Sequence, residues 1–409
     1  MMRSLFSGVS GLTNMQTGMD VIGNNIANVN TVGYKTATTT FQDVLSQTLE
    51  SATSGNGSIG GTNPVQIGLG MGIASVNSDF STGSAESTGS GTDSLIQGSG
   101  FYILSDGSDQ YYTRNGSFTF DANGNLVASN GYKVMGWPAT NGTVNTNAAV
   151  QSLQIPMNSM MAAKASTTGT YTGNLSPDSA TGATVSADLT AYDSLGAAHT
   201  IAGTFTKTAS NTWSFSSSDL ASGSPITITF NSDGSFNTQS GSAVTYTTTN
   251  GSTNPLNLTL DFSALTQYGT STSSSTSTSS SITAANDGYS AGTLKSETIG
   301  SDGIITGAFS NGQKQTLGQI ALAAFNNPEG LTKNGDSLYT SSNNSGKAQI
   351  TQPGSGGTGA LLSGNLEMSN VNLADEFSKM IIMERGFQAN SKIITTSDEM
   401  LQDLTNLKR

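Results

Sequence analysis

The feature that most limits the possible folds is a seven-residue apolar spacing at both ends of the chain. In the first thirty residues, one apolar row and a second row three positions later keep this spacing. The rows are Leu5, Leu12, Met19 and Ile26, and Met15, Ile22 and Val29. The spacing predicts an amphipathic helix over residues 4–29 with a coiled-coil seam. Gly8 and Gly11 each weaken it by about 1 kcal/mol relative to Ala, so we expect it to need a partner.

The C-terminal segment has the same spacing and supplies that partner. Its apolar positions are Leu366, Leu373, Met380, Phe387, Ile394 and Leu401, supported by Phe377, Ile381, Met383 and Leu404. Asn372 is suited to cap the helix, and acidic residues follow it in the first turn. Lys408 and Arg409 lie at the other end, where positive charge complements the helix dipole. The pattern predicts a helix over 373–407 that pairs with the N-terminal one.

Between the helices the sequence has the alternation and turn chemistry of short β-strands. Within 101–137, Asp-Gly and Asn-Gly pairs recur about every eight residues at 106–107, 115–116, 123–124 and 130–131. Such pairs favour tight hairpin turns, so this stretch predicts a meander of antiparallel strands. A second alternating region covers 185–262. Hydrophobic residues are 34% and charged residues 10% of the chain, which suits thin β-rich units with modest cores.

These patterns predict a mainly β protein with terminal α-helices. It has two β-rich domains, the second inserted into the first, and an N-/C-terminal helical coiled-coil domain. The predicted division is 1–33 and 364–409 for the two halves of the helical domain, 34–74 for a connecting region with an extra Gly/Ser-rich stretch, 75–145 with 284–363 for the inner β-domain, and 146–283 for the inserted one. A Ser/Thr run at 270–281 marks one boundary of the insertion.

Charge and cysteine content exclude several function classes. The formal net charge of −12 argues against a nucleic-acid partner and against anionic membrane surfaces. Without cysteine the chain has no disulfide and no thiolate metal site. We expect no membrane insertion, because no apolar run approaches the ~18 residues that a spanning helix needs. The N-terminus also lacks the pattern of a cleaved signal peptide, so export would need another route.

No set of residues suggests catalysis, a cofactor or a metal. The single histidine, His199, follows a turn, where a structural role is usual. The stretch 288–292 matches G-x-S-x-G but lacks the flanking strand and helix of a nucleophile elbow. The stretch 68–72 is only part of a dinucleotide fingerprint, and 121–125 is a Ca²⁺ loop with one carboxylate. We therefore expect turns at these sites and no enzyme activity.

The first helical pattern ends in a stretch of specific composition, "NNIANVNTVGYK". Asn and Gly residues suit a helix stop followed by a change of chain direction. The stretch resembles the N-terminal signature of the rod and hook family of bacterial flagellar axial proteins. Residues 364–407 resemble the C-terminal block of that family, and blocks between them resemble its hook members. The signature positions are Asn24, Asn25, Asn28, Asn30, Thr31, Gly33, Tyr34 and Lys35.

The resemblance implies a structural subunit of the flagellar hook, outside the cell. It implies a curved hollow helical polymer of identical copies that transmits motor torque to the filament as a universal joint. Its implied partners are further copies, the distal rod, the hook cap, the hook–filament junction proteins and the flagellar export apparatus, with export independent of a signal peptide. The terminal apolar rows, Leu401 and Leu404 included, would then serve as the core and subunit interface. Two alternatives stay open, a distal rod-type axial protein and a secreted β-rich adhesin or binding protein.

Overall fold

The computed structural model describes residues 2–55, 60–156, 159–220, 224–269 and 280–406, except the side chains of Met2 and Leu404. The chain divides into two compact units. Unit 1 contains residues 1–156, 297–306 and 316–409, and unit 2 contains 157–296 and 307–315. Within the described residues, no helix has a stretch that is long and apolar enough to cross a membrane.

Two long helices lie at the ends of the described chain, as the apolar spacing predicts. Helix α1 covers Met2–Ala27 and helix α2 covers Leu373–Asn406. The Asn372 side-chain oxygen accepts a hydrogen bond from the Ala374 N–H at 3.1 Å, which confirms it as the capping residue of α2. Lys408 and Arg409 lie outside the described residues.

Two helical predictions extend beyond the observed helices. Val29 lies in the turn after α1, because the Asn28 amide donates to the Asn24 carbonyl and the chain begins to turn there. Leu366 keeps the seven-residue spacing but belongs to the strand Asn365–Glu367, ahead of the helix cap. Leu404 lies within α2, and its side chain is outside the described part of the chain.

Unit 1 is built on an antiparallel sheet whose centre is the strand Lys133–Thr140. This strand pairs with Phe101–Ser105, which pairs in turn with Gln110–Thr113. The next strand outward is Leu338–Thr340. One face of the sheet carries an aromatic core in which Phe101, Phe325 and Tyr339 meet edge-on. The predicted meander over 101–137 is confirmed as antiparallel strands, although Asn115-Gly116 does not join two paired strands.

The strands of unit 1 before unit 2 are Ala37–Asp43, Ser46–Glu50, Val65–Gly68, Met71–Ser78, Ala85–Ser87, Ser94–Gln97, Phe101–Ser105, Gln110–Thr113, Phe118–Phe120, Leu126–Ala128, Lys133–Thr140, Thr143–Val144 and Gln151–Ser152. Those after it are Leu322–Ala324, Thr332–Lys333, Leu338–Thr340, Gln349–Thr351, Ala360–Ser363 and Asn365–Glu367, with a short 3-10 helix at Pro328–Gly330. Three strands include a boundary between the units, Gly292–Ile299, Ile304–Phe309 and Lys314–Ile320.

The predicted connecting region contains more regular structure than its Gly/Ser content indicates. Strands Ala37–Asp43 and Met71–Ser78 pair with each other, and Ser46–Glu50 pairs with Val65–Gly68 to form a hairpin. Every residue of the two hairpin strands is exposed, including Leu49, Val65 and Ile67. The hairpin is therefore held by backbone pairing and not by a core.

Unit 2 is a separate β structure with its own apolar core. An antiparallel sheet runs through Thr184–Ser186, Thr204–Ala209, Thr212–Ser216, Ile226–Phe230 and Phe236–Ser240. A mixed sheet is built around Thr168–Asn174, with Leu256–Asp261, Ala243–Tyr246, Leu265–Thr266 and Ser281–Asn286. The remaining strands are Leu189–Tyr192, paired with Ala198–Ile201, and Met160–Met161. Trp213, Phe205 and Phe215 are fully buried at the centre of the core.

The architecture confirms the predicted fold class, mainly β with terminal helices. The stretches at 68–72, 121–125 and 288–292 lie in or beside turns between strands, as expected. At 121–125, the Asp121 carboxylate accepts hydrogen bonds from the Asn123 and Asn125 N–H groups. Residues 270–279 of the Ser/Thr run lie outside the described residues, and the finer domain division stays a prediction.

Candidate functional site

The two terminal helices pack against each other within unit 1 through small residues. A Cβ added to Gly8 would lie 3.3 Å from the Ile394 Cγ1, and one added to Gly11 would lie 2.6 Å from the Asn390 Nδ2. Gly8 and Gly11 are buried, as is Gly18, which faces Met383. The glycines that weaken α1 as an isolated helix are thus the residues that let α2 approach it closely.

The face of α2 toward α1 follows the predicted row but adds a more polar second row. Glu376 and Ser397 are buried, and Asn390 is half-buried against Gly11. The two rows alternate in steps of four and three residues, as at a coiled-coil seam. Their members are Met380, Phe387, Ile394 and Leu401 in the predicted row, and Glu376, Met383, Asn390 and Ser397 in the second.

The predicted rows are only partly covered by this pairing. On α1, Ile22 is buried and Leu5, Leu12, Met15, Met19 and Ile26 are half-buried. On α2, Leu373 and Phe377 are exposed, Phe377 to 50%. Other large apolar side chains of the two helices are also exposed, namely Phe6, Val9, Ile381, Ile382, Ile393 and Met400. The helix pair therefore keeps apolar surface outside its own seam.

Asn25 of the signature connects three segments through one buried side chain. Its Nδ2 donates to the Ala37 carbonyl at 2.8 Å and to the Glu376 Oε2 at 2.9 Å. Its Oδ1 accepts from the Ala37 N–H at 3.0 Å. Asn25 thus joins α1, the strand that follows the signature, and the first turn of α2, which explains why an amide with both donor and acceptor stands here.

Tyr34 fastens the turn back onto α1. Its hydroxyl lies 2.8 Å from the Asn24 Oδ1 and 3.1 Å from the Asn25 Oδ1. Burial, and then the charge of Glu376, raises the pKa of Tyr34. The Lys333 ammonium lies 5.1 Å from the centre of the Tyr34 ring, within cation–π distance.

Lys35 enters a buried charge cluster with Glu367 and Arg114. The Lys35 Nζ is 2.6 Å from the Glu367 Oε1, and the Arg114 Nη1 is 3.6 Å from the Glu367 Oε2. Lys35 and Glu367 are fully buried, and Arg114 is nearly so beside the Phe101 ring. Burial lowers the pKa of Lys35, and the Glu367 carboxylate opposes that shift. One carboxylate faces two cations, so all three side chains depend on one another.

Gly33 lets the chain pass close to the sheet of unit 1. Its φ is +69°, and a Cβ would lie 2.7 Å from the Asn115 backbone nitrogen. The Gly33 N–H donates to the Glu367 carbonyl at 2.7 Å. A side chain here would be strained twice, by its backbone conformation and by the contact.

The signature residues therefore form a joint that fixes α1 against the start of α2 and the sheet. We name this the signature joint: Asn25, Gly33, Tyr34 and Lys35 with their partners Arg114, Glu367 and Glu376. Asn28 and Thr31 hydrogen-bond to each other at 3.1 Å within the turn. Asn30 is exposed, and within the described residues its side chain makes no hydrogen bond.

The partners of the joint do not stand out in the sequence. Glu367 precedes α2 in the strand Asn365–Glu367, and Arg114 directly follows the strand Gln110–Thr113. The signal that the sequence offers for each is a single charged residue in a segment of apolar and uncharged polar residues. Both residues are far from Lys35 along the chain, so the sequence does not show that they pair with it.

The single histidine of the chain has a buried acidic partner. In unit 2, the His199 Nε2 lies 3.0 Å from the Oδ2 of the buried Asp193, a contact that explains the placement of the single histidine. Among the described residues, no three His, Cys, Asp or Glu side chains are grouped so that they could hold a metal ion.

Four family models match successive parts of the chain. They are "Flagella basal body rod protein" at 5–35, "Flagellar hook protein FlgE/F/G D1 domain" at 95–173, "Flagellar basal body protein FlaE D2 domain" at 163–289 and "Flagellar basal body rod FlgEFG protein C-terminal" at 362–407. With the helix pair and the signature joint, these matches define the class of flagellar axial proteins, which includes rod and hook proteins.

Relatives separate the members of this class. The flagellar hook proteins FlgE of Treponema pallidum and Borreliella burgdorferi are 39% and 37% identical, each over 100% of both chains. The flagellar basal-body rod protein FlgG of Bacillus subtilis is 34% identical, also over 100% of both chains. The chain belongs to the flagellar hook protein FlgE family.

A solved structure agrees on the fold. The flagellar hook protein FlgE2 of Helicobacter pylori superimposes with a TM-score of 0.51 at 16% sequence identity. The match covers 69% of this chain and 100% of that one. At this identity the likeness concerns the fold alone.

Proposed function

We propose that this chain is a structural subunit of the flagellar hook, outside the cell body, that assembles with further copies of itself. The observation that carries this proposal is the identity with hook proteins over the entire chain. The proposed polymer is a curved hollow helix that transmits motor torque to the filament.

The helix pair supports assembly on physical grounds. α1 and α2 span roughly 39 and 51 Å, long enough to form a continuous inner layer. In the described part of the chain their exposed apolar side chains keep 40–67% of their surface open to solvent, and burying one fully contributes about 1.5–3 kcal/mol. Head-to-tail contacts between copies extend into a filament when the rotation between copies does not close a ring.

The predicted row residues serve as core and interface in this proposal. Ile22 and the half-buried members hold the pair together, while Leu373 and Phe377 face neighbouring copies. The signature joint then couples the helix pair to the sheet of unit 1, so that load on the helices reaches the β structure through buried hydrogen bonds and charges.

The division of labour between the units is also part of the proposal. Unit 2 corresponds in position to the predicted inserted domain, and we assign to it the setting of hook curvature. Its low-charge surface of Ser, Thr and Asn has few fixed ion pairs that would hold one subunit spacing. The further proposed partners of the whole chain are the distal rod, the hook cap, the hook–filament junction proteins and the export apparatus.

Polymerisation of the purified chain tests the proposal. We expect short curved tubes in electron micrographs, whereas straight tubes would favour a distal rod-type protein. A variant without residues 2–27 and 373–406 should stay monomeric. If that variant polymerises normally, the hook proposal is wrong. The proposal is also wrong if the parent does not polymerise and the truncated variant stays soluble and binds a surface ligand as an adhesin would.

A further inference from the structure

The outward side of α1 lines a groove within unit 1. Thr17, Asp20 and Asn24 lie on the side of the helix opposite Gly8, Gly11 and Ile22, at 100° per residue. Across the groove stand Glu329, Leu331 and Lys333, and its volume is about 400 Å³. We call this the α1 groove.

The α1 groove combines apolar walls with unpaired carboxylates. Val21, Val76 and Leu331 contribute apolar surface. Asp20 and Glu329 are exposed, and neither forms an ion pair within the described residues. Lys333, the cation among the described residues that line the groove, is directed to the Tyr34 ring and to the Lys35 carbonyl. The groove therefore fits a partner surface with apolar and basic side chains.

The outward face of α2 has that composition. Arg385 and Lys392 lie seven residues apart, opposite the buried row, and are separated by about 10 Å along the axis. Neither forms an ion pair within the described part of the chain. One turn before Arg385 are Ile381 and Ile382, exposed to 58% and 67%. We call these four residues the α2 outer face.

We propose that the α1 groove of one copy receives the α2 outer face of a second copy. Within one chain the two surfaces point away from each other, because the α1–α2 seam lies between them. Each α1 would then be packed by its own α2 on one side and by a neighbour's α2 on the other. This inference rests on the proposed function, since it assigns a contact within the homopolymer.

Charge exchange tests the contact. Asp20→Lys with Glu329→Lys reverses the groove, and Arg385→Glu with Lys392→Glu reverses the outer face. We expect each reversed chain to need about tenfold higher concentration to polymerise, because like charges then meet. A chain with all four substitutions should return to within about threefold of the parent. Asp109→Lys with Glu86→Lys, both exposed elsewhere in unit 1, changes the net charge by the same +4 as the groove variant and controls for it.

A second measurement tests the same contact directly in polymers of the chain. Because the chain has no cysteine, one copy can carry Thr17→Cys and another Gln388→Cys as the sole thiols. Mild oxidation of the mixture should give mainly mixed disulfide dimers, distinguishable by a tag on one variant.

Two results would overturn the inference and leave the hook assignment standing. One is that the reversed chains polymerise like the parent. The other is that oxidation of the mixed polymer gives only like-with-like dimers or none, which would mean that the α1 groove and the α2 outer face of neighbouring copies do not meet. Thermal melts of the separate variants check that each is folded, which is expected because all the substituted charges are exposed.

Discussion

The Lys35 ammonium and the Glu367 carboxylate are 332 positions apart in the chain, yet they lie 2.6 Å apart with both side chains fully buried. The Glu367 Oε1 also accepts the Gly83 N–H at 2.9 Å. This contact ties the end of the signature to the segment that leads into α2. The two ends of unit 1 are therefore joined by an interaction that solvent and salt screen weakly.

Removing the charge of Glu367 should be more damaging than removing that of Lys35. Glu367→Gln leaves two buried cations without a counter-charge, and we expect a loss of about 3–5 kcal/mol in the free energy of unfolding. Lys35→Met leaves Glu367 beside Arg114, so it should cost less. Urea denaturation measures both, with the exposed Lys347→Met as control. An equal effect of the two variants would contradict the three-way dependence.

Asn25 and Asn30 belong to the same signature but should respond differently to substitution. Asn25→Ala leaves several buried partners unsatisfied, at about 1–3 kcal/mol for each such group. Asn30→Ala should change stability by less than about 0.5 kcal/mol, because Asn30 is exposed. Thermal melts compare the two directly. Comparable losses would mean that the Asn25 hydrogen bonds do not support the joint.

Asn25→Asp gives a further test of the same residue. The new carboxylate would lie beside the buried Glu376 carboxylate, which now accepts from Asn25 at 2.9 Å. Two adjacent carboxylates repel each other and one pKa rises. We expect this variant to be destabilised at neutral pH and to recover partly on acidification. A stability profile between pH 7 and pH 5 would reveal it.

Two glycines of α1 should respond to Ala with opposite signs. Gly23 has nothing within 4 Å of an added Cβ, so Gly23→Ala should stabilise the helix by up to about 1 kcal/mol. At Gly11 the added Cβ meets the Asn390 side chain, which would have to move. We expect Gly11→Ala to lower the melting temperature and Asn390→Ala to relieve part of that loss. If Gly11→Ala stabilises as much as Gly23→Ala, the close packing is absent.

Sequence spacing predicts the elements of this fold better than their contacts. The two helices follow from seven-residue rows, and the strands over 101–137 follow from alternation and turn pairs, because both signals are local. The end of α1 was placed two residues late, since the turn depends on side-chain bonds of Asn28. The hairpin at 46–68 was missed because its strands have no buried face to impose alternation.

The candidate site was predictable in composition but not in geometry. The signature stretch drew attention through its asparagines, Gly33 and Tyr34. Its partners Glu367 and Arg114 come from distant segments, and only the folded chain brings them together. The seam was also misjudged in detail, because apolar spacing omitted two polar residues that face α1. Asn390 meets Gly11, and the Ser397 hydroxyl lies 3.5 Å from that of Ser4.

Unit 2 should lose stability in acid through Asp193. Burial would raise the pKa of this carboxyl, but hydrogen bonds from His199, Asn250 and the Ala197 and Leu195 N–H groups outweigh it and hold the pKa well below its usual range. A depressed carboxyl pKa contributes stability above the unfolded value of about 4, and that contribution is lost as pH falls below it. Asp193→Asn should therefore be less stable than the parent at pH 7, with a difference that shrinks toward pH 2. With Trp137 of unit 1 replaced by Phe in parent and variants, melts of Trp213 fluorescence report on unit 2, because Trp213 lies at its core. The exposed Asp178→Asn serves as control, and a pH-independent difference between parent and Asp193→Asn would contradict the role of the charge.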